Sequence, residues 1–254
     1  DFVSGVSRPL DLPFDFAKIG RLALSACGTA YLAGLISKYW FERYARLPVD
    51  IDVASEFRYR EMPLSGNDAI SRDEEKRLVR ELSEAPRFAT QVLKLDEQIE
   101  RISRDLSRYK DVLYLGRDTN FPLAMEGALK LKEISYIHAE GYAGGELKHG
   151  PIALIDENMP VIVIAPHDRI FEKTVSNMQE VAARGGKIIL ITDAKGAAQA
   201  GIKSMETIIL PEVPEIIAPI IYALPIQMLA YFTAVFMGTD VDQPRNLAKS
   251  VTVE

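Results

Sequence analysis

The chain has 254 residues, 48% hydrophobic and 26% charged, enough to bury a substantial core in one or two domains. A formal charge of -6 argues against nucleic acid as the main partner, since phosphate-backbone binding needs an excess of lysine and arginine, and any anionic substrate must be met by local positive charge. One cysteine excludes an internal disulfide framework and suits a reducing compartment; with no membrane-length apolar run and no signal-peptide pattern, the composition predicts a cytoplasmic protein and no membrane partner.

In chain order, residues 1–20 read as an N-terminal linker. Short β-branched or leucine runs then alternate with longer helical periods, which predicts an α/β fold of parallel layers. Strands at 21–25 and 51–54 bracket a helix at 30–46. The turn Ser25-Ala26-Cys27-Gly28-Thr29-Ala30 sets backbone N–H groups and the Thr29 hydroxyl at a helix N-terminus, whose positive dipole end favours an anion; a simple helix cap is the plainer alternative. Cys27 has no histidine near it in sequence and reads as a lining residue, not a nucleophile. From Phe57 to Tyr109 charge and helical periods dominate, with helices at 71–83 and 87–109 and no third strand. Two parallel strands do not make a stable sheet alone, so this half reads as an incomplete domain.

From Asp111 the pattern is a regular βαβαβ series, with strands at 112–116, 161–165, 188–192 and 207–210 and helices at 121–137, 169–184 and 215–237. The pair Gly185-Gly186 predicts a helix C-cap. The final helix is apolar nearly all round, and Pro219, Pro225 and its polar flanks favour a buried core helix over a membrane span.

The chemistry concentrates between Glu126 and Gly150. At about 100° per residue, Glu126, Lys130 and Glu133 fall within roughly a 60° arc, while Met125, Ala128, Leu129, Leu131 and Ile134 fill most of the remaining circumference. Such a stripe is expected to sit partly desolvated, with shifted pKa values and practical proton transfer; the alternative is an exposed face with i,i+4 pairing between Glu126 and Lys130. The following segment His138–Pro151 holds Gly141, Gly144, Gly145 and Gly150 among Glu140, Glu146, Lys148 and His149, and predicts a substrate-facing loop. Of the three histidines, His149 is the best acid/base candidate, His138 reads as structural, and His167 fits either role.

The runs EGALKLKEISYIHAE and GELKHGP, LALSACGTA at 22–30, ASEFRYRE at 54–61 and the terminal DVDQPRNLAKSVTVE resemble the isomerase part of the glutamine–fructose-6-phosphate aminotransferase family, from Arg21 to Glu254. The resemblance implies two sugar-isomerase (SIS) subdomains, each a parallel sheet flanked by helices: a first at 21–109 with connecting helices, a second at 110–238, and a tail at 239–254 over the sugar site. The first would be incomplete, lacking near 68–70 a segment with a serine- and threonine-rich phosphate loop. Either the polypeptide is deleted there or the sequence as read omits residues; the half-built sheet a deletion would leave favours the second.

The implied reaction joins fructose 6-phosphate and ammonia into glucosamine 6-phosphate. By resemblance, His149, from a neighbouring subunit of a homodimer, assists sugar-ring opening and Lys249 engages the C2 carbonyl. Glu133 would move the proton between C1 and C2, while Lys130 and Glu126 orient the hydroxyls. Cys27, Gly28, Thr29 and the backbone of Ala248 would line the substrate. Ala30 stands where the family often has a serine, and Arg245 is a candidate for structural pairing. No metal or redox cofactor is implied. Nothing upstream of Arg21 resembles the family's glutaminase domain, so free ammonia would be needed, or only isomerisation would remain. The competing readings are a non-catalytic SIS module that binds sugar phosphates and a dimerisation scaffold.

Overall fold

The computed structural model describes residues 18–26, 28–53, 72–203 and 205–245. In the first half, β1 (Leu22–Ala26), α1 (Gly28–Trp40) and β2 (Val49–Val53) form a small parallel unit in which Leu22 pairs with Val49 and Ala26 with Val53. A π-helical turn, Phe41–Ala45, extends α1 before Arg46 ends it in the left-handed region at φ 53°. Three helices follow: α2 (Arg72–Ser83), α3 (Ala85–Val92) and α4 (Asp96–Leu106), the last two joined by a 3₁₀ turn at Leu93–Leu95. The expected lack of a third strand holds among the described residues, where β1 and β2 make a two-stranded sheet.

The second half is built on β3 (Asp111–Gly116), α5 (Asn120–Ser135), β4 (His138–Ala143), β5 (Pro160–Ile164), α6 (Phe171–Ala182), β6 (Lys187–Asp193), α7 (Ala194–Gln199), β7 (Glu206–Leu210) and α8 (Ala218–Met237). Its five strands are parallel in the order β4-β3-β5-β6-β7. Runs such as Pro160–Ile164 are buried at every residue because helices cover both faces of the sheet. Tyr114, Ile162, Ile164, Ile189 and Ile191 pack under α4, α5 and α8; the alternate residues Leu113, Leu115, Val161, Val163 and Leu190 pack against Phe171, Met178 and Val181 of α6. The predicted cap of α6 forms: Gly185, at φ 80°, lets Gly186 N–H reach the Val181 carbonyl at 3.1 Å.

Two expectations need correction. His138–Pro151 is not one loop: His138–Ala143 is an edge strand paired in parallel with β3, and two 3₁₀ segments, Gly144–His149 and Pro151–Leu154, follow it. Two of its glycines, Gly141 and Gly144, serve packing. A Cβ on Gly141 would lie 2.6 Å from the backbone of Ala124 and Met125, so the missing side chain lets α5 settle onto the sheet. The second corrects the expectation of no membrane-length apolar run: α8 is long and apolar enough to cross a membrane by length and composition, yet it takes the core position expected of it. Here it packs against α4 and α5 with Ile221, Tyr222, Ile226, Leu229 and Ala230 buried. The sequence pattern also missed α7, although Asp193 is a recognisable N-cap that accepts the Gly196 N–H at 2.9 Å.

Candidate functional site

Helix α5 is held on one side by β3 and β4 and on another by α1 and α8. Gly127 permits this close seating, since a Cβ there would come within 2.5 Å of the Tyr114 ring. The helix therefore buries Leu123, Ala124, Ala128 and Leu131 and carries the charged stripe toward the junction with the first half.

Glu126 is only 5% exposed. Its Oε1 accepts a long 3.5 Å hydrogen bond from the Thr29 hydroxyl, while Oε2 is buried without a hydrogen-bond partner. Burial, above all, pushes this carboxyl above its ordinary pKa; the Lys130 charge and the Thr29 hydroxyl oppose the shift, Glu133 adds to it, and nearby Gln227 eases it. Lys130 Nζ lies 2.5 Å from Glu133 Oε2, and both side chains are 27% exposed. The pairing is thus i,i+3, with Lys130 turned to Glu133 rather than to Glu126 as an ordinary i,i+4 surface pair would have it. A cavity of about 310 Å³ opens between α1, α5 and α8, and Thr29, Glu126, Gln227 and Trp40 lie in its wall. A buried carboxyl, a hydroxyl and an amide around an apolar pocket can orient ligand hydroxyls; the Lys130–Glu133 pair lies further along α5, outside this cavity's wall.

The structure brings Thr29, Glu126, Lys130 and Glu133 together. Gly28 is the first residue of α1, next to Thr29. His149 is not brought in: its side chain is 71% exposed, its Nδ1 lies 2.9 Å from Glu146 Oε2, and no hydrogen bond or ion pair joins it to the stripe among the described residues. Cys27, Ala248 and Lys249 lie outside the described residues. Just before that tail segment, Arg245 donates its backbone N–H to the Tyr136 hydroxyl at 2.9 Å and stacks its guanidinium 4.1 Å over the same ring. Tyr136 ends α5 at φ 65°, so the start of the tail is fastened to the helix that bears the stripe. His138 is exposed, with Nδ1 3.0 Å from Asp111 Oδ1, at the outer strand β4.

Sequence reasoning missed a second polar cavity of about 270 Å³, whose wall includes Asp118, Asn120, His167, Asp168, Asp193 and Tyr222. Its signal was available: polar residues follow the carboxyl ends of successive parallel strands, the usual place for ligands in an open α/β sheet.

The SIS domain family model matches residues 15–96 and 105–237. The glutamine–fructose-6-phosphate aminotransferase (isomerizing) of Mesorhizobium japonicum is 69% identical over 336 residues, an alignment that takes in all of this chain and 55% of that protein. The chain thus spans about half the length of the curated relatives it matches, and the relatives carry aligned positions beyond its 254 residues. The solved C-terminal domain of glucosamine-fructose-6-phosphate aminotransferase from Francisella tularensis has a TM-score of 0.85 at 32% identity, covering 89% of this chain and 88% of that one. Glucosamine-6-phosphate deaminase from Thermotoga maritima shares the fold, with a TM-score of 0.66 at 19% identity over 93% of each chain.

Proposed function

This chain belongs to the SIS-domain family, within the isomerase part of the glutamine–fructose-6-phosphate aminotransferases, and from that premise we propose that it turns fructose 6-phosphate and ammonia into glucosamine 6-phosphate. Membership makes it a sugar-phosphate isomerase domain of amino-sugar synthesis. The finer reading rests on one observation, the meeting of Thr29 from the first half with the Glu126–Lys130–Glu133 stripe of the second.

In this reading the C2 carbonyl of the open sugar exchanges its oxygen for ammonia, releasing water and leaving a C2 imine. Glu133 takes a proton from C1 and returns it to C2, while the C1 hydroxyl proton passes to the C2 nitrogen, leaving an aldehyde at C1 and an amine at C2. A single carboxylate serves both transfers, and Lys130, 2.5 Å away, balances its charge when it is ionised. Glu126 and Thr29 hold sugar hydroxyls in the partly apolar cavity. Lys249 engages the C2 carbonyl before ammonia does, Ala248 and the Cys27-Gly28 turn line the sugar, and His149 of the partner subunit opens the ring. The exposure of His149 in the single chain supports a homodimer in which it completes a neighbouring site. The reaction runs in the cytoplasm, with ammonia as the nitrogen donor to this domain.

A coupled assay for glucosamine 6-phosphate, fed fructose 6-phosphate and ammonium, tests the proposal. Glu133→Gln should cut turnover by about 10²–10⁴-fold, the worth of a positioned general base, while sparing sugar binding. Equal turnover in that variant would remove Glu133 as the base. The competing reading, a sugar-phosphate-binding module without catalysis, draws support from the two-stranded first sheet. It predicts sugar binding with no turnover in the unaltered chain.

A further inference from the structure

The cavity beyond the carboxyl ends of β3, β5, β6 and β7 shares no wall residue with the Glu126 cavity. It sits where the order of the second sheet reverses, with β4 on one side of β3 and β5 on the other, the crevice in which open parallel sheets hold ligands. Tyr222 reaches it from α8. The residue is 1% exposed and lines the cavity, yet its hydroxyl has no hydrogen-bond partner among the described residues. A buried hydroxyl left unpaired is costly, and the residue that carries it lies in the wall of a space large enough for a partner.

The surrounding charge narrows what that partner is. Asp118, Asp168, Asp193, Glu212 and Glu215 line the cavity; Glu215 is paired with Arg43, outside this wall, and the wall's own cations are Arg169 and Lys195. Both cations are engaged: Arg169 pairs with Asp118, and Lys195 Nζ lies 2.7 Å from Glu212 Oε2. A phosphate or carboxylate would therefore meet excess negative charge. Asp193 has both oxygens occupied, accepting the backbone N–H groups of Gly196 at 2.9 Å and His167 at 2.7 Å. Asp168 is the open acceptor: Oδ1 takes the Ile170 N–H at 2.9 Å, while Oδ2 has only a long 3.4 Å contact from the Asn120 amide. Burial, chiefly, pushes the Asp168 carboxyl up, as expected of a carboxylate short of a cation. Among the described residues no group of histidine, cysteine and acidic side chains could hold a metal ion, so an organic cation fits this wall better than a metal.

We propose that this cavity binds a small hydroxylated primary amine of amino-sugar type, with its ammonium on Asp168 and a hydroxyl on Tyr222. Thr119 and the buried Asn120 supply further polar contacts for its remaining hydroxyls. The site is independent of whether the α5 stripe catalyses anything.

Calorimetric titration of the full chain with glucosamine tests it, with glucose as the uncharged comparison. Glucosamine is expected to bind, and glucose about tenfold or more weakly, since a hydrogen bond to a charged group is worth that factor. Asp168→Asn and Tyr222→Phe should each weaken glucosamine about tenfold by the same reasoning, while Glu133→Gln, in the other cavity, leaves it unchanged. Tyr222→Phe should melt no lower than the unaltered chain, because it removes an orphaned hydroxyl and little volume; should it fail to fold, Asp168→Asn alone decides. The inference is overturned if glucosamine does not bind, if glucose binds as well, if the substitutions at 168 and 222 leave affinity unchanged, or if Glu133→Gln abolishes it.

Discussion

Glu126 and Glu133 are seven residues apart on one helix but occupy different environments, one buried beside Thr29 and the other half-exposed against Lys130. A carboxyl whose pKa is raised on folding contributes stability that is full below its unfolded value, near 4.5, and lost as pH rises through the folded value. At neutral pH Glu126 is therefore a liability to the fold. Glu126→Gln should stabilise the chain there by on the order of 1 kcal/mol, the cost of an incompletely paired buried group, with the advantage shrinking toward pH 4.5. Melting curves from pH 4 to 8 check this; a Gln variant less stable at neutral pH would refute it. The stripe was legible in the sequence because helical periodicity alone sets which residues share a face. The choice of Lys130 between its two carboxylates was not, since both lie within reach and burial of Glu126 decides it.

Among elements, β3, β5, β6 and β7 were readable as near-continuous apolar runs, the mark of strands covered on both faces. Strand β4 was not. His138–Ala143 contains a glycine, a histidine and a glutamate, and its local preference is for a turn; pairing with β3 and packing under α5 override it. Gly141 records that packing. Gly141→Ala should cost about 1–3 kcal/mol by overpacking against the Ala124 backbone, lowering the melting temperature without touching the charged stripe. An unchanged melting temperature would mean that α5 is free to shift away.

At the scale of the whole molecule, the second half is a five-stranded sheet with helices on both faces, and the described residues of the first half give two strands, the helix between them and three following helices. The imbalance was visible in the sequence as a missing third strand, but its consequence for the pocket was not, because only folding shows Thr29 reaching Glu126. The exposed position of His149 ties the proposed chemistry to assembly: sedimentation should give about twice the 28.3 kDa chain mass. A monomer that still turned over substrate would break that tie.

The knot between Arg245 and Tyr136 has one more implication. Lys249 lies four residues beyond it, and at about 3.3–3.6 Å per residue its α-carbon stays within about 14 Å of Arg245 by whatever path the chain takes. The phenol at the end of α5 is thus a mooring that sets the point from which the tail leaves the second half.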